Sequence, residues 1–306
     1  MPSLCQRMNS FQYHADHGHY PRFAYPPDNP LLFVKVDGPE MRAEGDMQLL
    51  AFEWLIREGE RTKSNIFIPE VYKIFTHRNR VFLVMQFVPA TPIRLLLESE
   101  DPYWKRNELA CLDLIAEVIK LLSRMPVPGD ATLGRYSTVR TLIKHPIFKD
   151  HQAPLIYRDV QEMKDHFNRV AAVRYKTVRN PPEVTTASSK DEPLIYCYSD
   201  LNDENFLLCK DGEGRPRLCM VDFEHASFLP TSFLAFAIAE NRWHTTQPLQ
   251  RRLALPQHNV AVMKEIYYVF QISVWAMGLT QEQREAVQRG VHGQGGDGTP
   301  IRDLPR

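Results

Sequence analysis

The chain has 306 residues, with Lys plus Arg and Asp plus Glu balanced at 37 each. That length suffices for a large core arranged as two lobes, and the balance leaves no net field to draw the protein to nucleic acid or to an anionic membrane. No apolar stretch approaches the roughly 18 residues that would span a bilayer. Residues 1–20 lack the apolar segment of a signal peptide, and five cysteines without a C-x-x-C pair point to reduced, buried thiols and a cytoplasmic protein.

Residues 1–29 are rich in His, Tyr and Pro without a clear period and read as a partly ordered lead-in. His14, His17 and His19 raise a metal site as an alternative, but no Cys or further ligand accompanies them. Residues 31–36 form a short apolar run stopped by Asp37-Gly38-Pro39, the pattern of a buried strand and turn. Lys35 interrupts that run. A buried ammonium needs an anionic partner, unless the side chain snorkels to solvent. A helix is expected over 41–60, with Met47, Leu50, Phe52, Trp54 and Leu55 as its apolar stripe. Glu44, Asp46 and Glu53 on it are the carboxylates that could meet Lys35. Residues 66–75 and 81–88 read as two antiparallel strands joined by a short polar loop, which completes a small β-rich lobe over 30–88.

From 89 to 280 the pattern is mostly helical. Helices are expected over 93–100 and 105–124, the second with Leu109, Leu112, Ile115, Ala116, Ile119 and Leu122 on one face, until Met125-Pro126-Val127-Pro128-Gly129 breaks it. A mixed connection over 134–154 leads to an amphipathic helix over 159–173, and 180–193 is a polar loop. After the stretch 194–230 a short apolar helix is expected over 233–239. His244, in the polar patch beyond it, could assist an acceptor or be a surface or structural histidine. A last core helix follows over 259–277, and residues 281–306, polar and Gly-rich, read as a disordered tail dispensable for folding.

The stretch 194–230, LIYCYSDLNDENFLLCKDGEGRPRLCMVDFEHASFLP, is the most informative. Two apolar β-type runs, 206–209 and 218–221, flank the turn-rich Asp211-Gly212-Glu213-Gly214, a hairpin signal with a longer loop. Such a hairpin brings Asp200, Asn205 and Asp222 to one end. Two carboxylates and an amide oxygen make a hard, oxygen-rich site of the kind that holds Mg²⁺ together with substrate phosphates.

Residues 198–205 fit the catalytic-loop pattern H-x-D-x-x-x-x-N with Tyr198 in the His place, and Val221-Asp222-Phe223-Glu224 sits where D-F-G would, with Glu for Gly. In these motifs the chain resembles the aminoglycoside phosphotransferase (APH)-like branch of the kinase superfamily, most of all its fungal group of unassigned substrates. The resemblance implies an α+β, two-lobed protein-kinase-like fold with ATP between a small N-lobe and a larger helical C-lobe. It also implies Mg²⁺-ATP-dependent phosphoryl transfer to a small-molecule hydroxyl. By it, Asp200 orients the acceptor hydroxyl and takes its proton, and Asn205 and Asp222 hold Mg²⁺. Lys35 contacts the α/β-phosphates and pairs with Glu44, the glutamate of the pattern E-x-x-x-Q completed by Gln48. Met85-Gln86-Phe87-Val88 is then the hinge, with the backbone of Gln86 and Val88 meeting the adenine. Tyr198 would pack and hydrogen-bond in place of the structural histidine.

The chain departs from the family upstream of Lys35, where Gly18 is the one glycine and no G-x-G-x-x-G loop is available to cover phosphates. No A-P-E segment follows Asp222, which speaks against a protein substrate. The missing glycine loop keeps a second reading open, a catalytically inactive kinase-like binding module. Metal-dependent hydrolysis at the same acidic cluster is a weaker third, since no His ligands accompany it.

Overall fold

The protein is described by a computed structural model over residues 22–62, 65–176, 179, 187–188, 191–244, 246 and 249–289. The expected histidine cluster of the lead-in lies outside the described residues. The lead-in nevertheless ends in structure: Arg22–Tyr25 is a strand, β1, paired antiparallel with β2 (Leu32–Asp37) so that Arg22 lies opposite Lys35. Helix α1 (Met41–Thr62) follows, then β3 (Ile66–Phe67), β4 (Val71–His77) and β5 (Arg80–Gln86). The N-lobe sheet runs β1-β2-β5-β4 and is antiparallel throughout, with Lys35 opposite Leu83. Its two apolar clusters are small, Met41, Val81, Leu83 and Met85 on one face and Val34, Val36 and Phe82 on the other.

The expected strand over 66–75 is divided. Pro69 cannot donate to a ladder and splits the run. Ile66 and Phe67 leave the N-lobe and pair parallel with Leu218 and Cys219, while Val71–His77 alone joins the N-lobe sheet. Helix α1 likewise belongs energetically to the larger lobe. Met47, Ala51 and Leu55 are buried in its core cluster, Trp54 Nε1 donates to the Leu121 carbonyl at 2.9 Å, and Tyr196 Oη donates to the Met47 carbonyl at 2.8 Å. The sheet thus begins before residue 30, with β1, while α1 and β3 also pack on the larger lobe. The reason is that four twisted strands bury too little apolar surface to hold a 22-residue helix unaided.

The larger lobe begins with the short strand β6 (Thr91–Pro92) and helices α2 (Ile93–Glu98) and α3 (Pro102–Ser123), the latter capped by Asp101 accepting from the N–H groups of Tyr103 and Trp104. Helix α4 (Val160–Tyr175) is capped in the same way by Asp159. Strands β7 (Leu194–Tyr198), β8 (Phe206–Lys210), β9 (Pro216–Met220) and β10 (Ala226–Pro230) carry the polar corners. Helices α5 (Thr231–Glu240), α6 (Leu249–Arg252) and α7 (Val260–Ile272) fill in the rest. No helix among the described residues is long and apolar enough to cross a membrane. The four described cysteines are free thiols, three of them buried.

The expected disordered tail is corrected at its start. Gln281–Gln288 is a helix, α8, opened by a capping box in which Thr280 and Gln283 satisfy each other's backbone. Ala286 is buried, and Gln283 bonds Arg169 (3.0 Å) and Glu162 (3.1 Å) of α4. The last core helix is accordingly α7, which ends at Ile272 rather than 277, and not the final helix of the chain.

Candidate active site

The hairpin β8–β9 is in register from Phe206↔Met220 to Lys210↔Pro216. Its turn is closed by the Asp211 carboxylate, which accepts from the N–H groups of Glu213 and Arg215. Strand β10 returns against β7 with Ala226 opposite Tyr198, so the loop after β7 and the segment after β9 meet. Within that corner Val221 N–H donates to the Asn205 carbonyl at 3.0 Å and Asn205 Nδ2 to the Asp200 carbonyl at 3.1 Å. Ser199 Oγ donates to the His225 carbonyl at 3.0 Å. Tyr198 is buried, its ring against Phe223 and its hydroxyl donating to the Val221 carbonyl at 2.6 Å. Asp200, Asn205 and Asp222 are thus brought to one corner, as the spacing implied.

Asp222 adopts a left-handed backbone (φ 64°), a conformation that asparagine and aspartate tolerate better than most residues. The turn sends its carboxylate up to the N-lobe, where Lys35 Nζ is 3.1 Å from Oδ1 and Arg22 Nη1 is 3.4 Å from Oδ2. Lys35 also meets Glu44 Oε1 at 2.6 Å, both side chains about 95% buried or more. Of the three carboxylates on α1 that could have met the lysine, Glu44 is the partner. Asp46 instead accepts from Ser137 Oγ at 2.6 Å. Burial works to lower the Lys35 pKa, but the Glu44 and Asp222 carboxylates outweigh it and hold the ammonium above its ordinary value. Burial also opposes ionisation of Asp222, yet Lys35 and Arg22 hold that carboxyl below the usual range. Burial pushes Asp200 the other way, up, reinforced by the charge of Asp222 and opposed by a hydrogen bond from Asn205.

The helix can approach this closely because Gly45 follows Glu44. A Cβ there would lie 2.6 Å from Ile74 Cδ1 and 3.0 Å from Leu83 Cδ1. Gln48, one turn on, is buried and donates to the Pro69 carbonyl at 2.9 Å. In the hinge, Gln86 N–H donates to Glu70 O and Phe87 N–H to Leu31 O, both at 2.9 Å. The Val88 N–H has no protein acceptor among the described residues.

The partners of Glu224 gave no sequence signal. Glu224, in the glycine position after Asp222-Phe223, is gripped by Lys144, which also reaches Glu40 at 3.0 Å. Arg135 donates to the Glu224 and Glu40 carbonyls and so ties the first turn of α1 to the segment beyond Asp222. These contacts join residues 80 or more positions apart, and no local pattern encodes them. Beside the corner, a cavity of about 370 Å³ is lined by Pro146, His151, Glu240, Asn241, Trp243 and Tyr267. The His151 charge is close enough to favour ionisation of Asp200. His244 is not in this cavity's wall: it pairs with Glu108 at 2.6 Å.

Among the described residues no three His, Cys, Asp or Glu cluster as a metal cage. The donor set nevertheless suits Mg²⁺, which needs only one or two carboxylates when phosphates supply the remaining oxygens. Asp222 Oδ1 is buried and, although within ion-pair distance of Lys35, receives no well-directed hydrogen bond. Asn205, whose Nδ2 is committed to Asp200, has no recorded protein donor on its Oδ1 among the described residues.

A strand lysine paired to the glutamate of the following helix, with an antiparallel sheet above and a helical lobe below that carries D-x-x-x-x-N and D-F on a hairpin, defines a two-lobed protein-kinase-like fold. No protein-family model and no curated protein matches the chain. Among solved structures it is similar to a GDP complex of an aminoglycoside 2'-phosphotransferase-IIIa variant (13% identity, 85% of this chain and 79% of that one, TM-score 0.47). It is also similar to aminoglycoside phosphotransferase APH(3'')-Id from Streptomyces rimosus (14% identity, 88% and 99%, TM-score 0.42). A third is a thermostable mutant of APH(4)-Ia with ADP and hygromycin B (12% identity, 84% and 88%, TM-score 0.43).

Proposed function

We propose that the protein is a Mg²⁺-ATP-dependent phosphotransferase acting on the hydroxyl of a small molecule, within the reducing interior of the cell. The observation that carries this is the convergence of Lys35, Glu44, Asp200, Asn205 and Asp222, from three separate stretches of chain, on one corner between the lobes. In this reading Asp200 orients the acceptor O–H and takes its proton as the oxygen bonds to the terminal phosphorus, while the bond from that phosphorus to the β,γ-bridging oxygen breaks and ADP leaves. Lys35, fixed by Glu44, offsets phosphate charge. Gln86 and Val88 present backbone groups to the adenine. Asn205 and Asp222 would hold Mg²⁺, whose chemistry here is neutralisation of charge on the phosphate oxygens. Phosphoryl transfer needs little covalent work from a protein, so this placement of charges supplies most of the acceleration. The cavity beside Asp200, with Trp243 and Tyr267 in its wall, supports an acceptor of small-molecule size.

The absence of any glycine between Arg22 and Lys35 favours the second reading, a kinase-like binding module without turnover. ATP consumption across a panel of amino sugars, amino alcohols and sugars separates the two. We expect turnover with at least one acceptor, lost in Asp200→Asn while nucleotide affinity stays within a few-fold. An Asp200→Asn protein that phosphorylates the same acceptor undiminished would refute the assignment, and ATP binding with no turnover on any acceptor favours the binding module.

A further inference from the structure

Kinase-like sites ordinarily cover the phosphates with backbone N–H groups of a glycine-rich loop. This chain has one glycine before Lys35, Gly18, and the turn between β1 and β2 holds Pro26, Pro27 and Pro30, which have no N–H. Among the described residues before Lys35, which hold no glycine, a side-chain donor is the stronger candidate to meet a triphosphate. Residues directly opposite in an antiparallel pair project from the same face with Cβ atoms about 5 Å apart. Arg22 lies opposite Lys35, and both side chains do reach the Asp222 carboxylate. The two cations differ in what they have left to give. Lys35 is buried and committed to Glu44 at 2.6 Å. Arg22 is 54% exposed and makes one 3.4 Å contact, so among the described residues most of its five-donor fork has no protein partner.

We infer that Arg22 is a phosphate clamp: a guanidinium on the first described strand that stands in for the glycine-rich loop and grips the distal phosphates of the nucleotide beside Lys35 and Asp222. The inference rests on the nucleotide reading given above. A guanidinium fork suits phosphate because two parallel N–H groups can meet two phosphate oxygens, which a lysine cannot do. The position is equally specific. Arg22 begins β1 at the end of the sheet that overhangs Asp222, which brings its side chain beside Lys35. Without nucleotide the same fork rests on Asp222 and offsets its charge. Phosphate oxygens replace that carboxylate as partner when nucleotide is bound.

The test is calorimetric binding of Mg²⁺-ATP and of adenosine to the full-length wild type, Arg22→Ala and Arg22→Lys. Arg22→Ala should weaken Mg²⁺-ATP by about tenfold or more, the loss of a charge-assisted hydrogen bond, and leave adenosine unchanged. Arg22→Lys should fall between, keeping the charge and losing the fork. The adenosine arm reports that the variant is folded, since Arg22 is half exposed and in no core cluster. Equal ATP affinity in wild type and Arg22→Ala overturns the clamp alone. Tighter ATP binding by Arg22→Ala also overturns it, since Arg22 would then be a plug on Asp222. A wild type that binds neither ligand overturns the clamp together with the nucleotide reading.

Discussion

The Lys35–Glu44 pair lends itself to a quantitative test without any ligand. Both side chains are at most 5% exposed, and their 2.6 Å contact bridges the N-lobe sheet and a helix rooted in the other lobe. Removing one partner of a buried pair leaves an uncompensated charge and costs about 3–5 kcal/mol. In Glu44→Gln the lysine keeps Asp222 at 3.1 Å, so the cost should sit near the lower end, roughly 3 kcal/mol. In Lys35→Met the stranded group is Glu44, which burial already pushes toward its neutral form; protonation then caps the penalty at a similar figure, about 3 kcal/mol. The double variant Lys35→Met/Glu44→Gln removes both charges and should cost well under the sum of the two single losses. Urea unfolding of the four proteins gives the coupling energy directly, expected to be about 2 kcal/mol or more in magnitude. At about 2–4 °C per kcal/mol, each single variant should also melt several degrees lower. Strict additivity, within about 0.5 kcal/mol, would mean the two charges do not interact, and the site's frame would have to be held by something else.

Two further outcomes concern stability. His145 and His166 are buried neutral, pushed down to about 3 and about 4 by burial: His145 Nδ1 accepts from Ile147 N–H, and His166 lies between the Tyr157 hydroxyl (2.7 Å) and the Met277 carbonyl (2.8 Å). Both bind a proton near pH 6.5 when unfolded, so stability should fall as pH drops from about 6.5 to 4, with each histidine contributing up to about 1.4 kcal/mol per pH unit; a melting temperature flat across that window, or a His166→Gln variant with undiminished slope, contradicts this. Ending the chain at Thr280 removes α8 and its Gln283 bonds to Arg169 and Glu162, and should lower the melting point by several degrees relative to a chain ending at Arg289; equal melting would show that α8 contributes nothing.

What could be read from the chain alone was whatever short-range pattern encodes. The alternating and apolar runs around Asp211-Gly212-Glu213-Gly214 specified the hairpin, and the hairpin's geometry then required Asp200, Asn205 and Asp222 to meet. The lysine inside an apolar strand demanded a carboxylate, but composition could not choose among Glu44, Asp46 and Glu53. The choice falls to Glu44 because the bare Gly45 backbone lets that turn of α1 press on Ile74 and Leu83. The partner strand of Ile66–Phe67 lies about 150 residues away, and Arg22 is 200 residues from Asp222, so neither had a local signature. Helix α8 was missed for a different reason. Its capping box, Thr280 with Gln283, is a local signal, overshadowed by the Gly-rich sequence that follows.

The division of the core also bears on how such a site could open. Helix α1 carries Glu44 but packs its Met47, Ala51 and Leu55 into the core of the helical lobe, and Lys144 and Arg135 fasten its first turn to Glu224. Glu44 and Asp222 therefore move as one body. Lys35 and Arg22 ride on the sheet, whose own apolar clusters are small. The cations come from the sheet and the carboxylates from α1 and the segment after β9, and beside these ion pairs the sheet packs on α1 through Met41 and Gly45. The ionic part of that interface is weakened by salt only where solvent reaches it. Arg22, half exposed, should release first and the buried Lys35–Glu44 pair last.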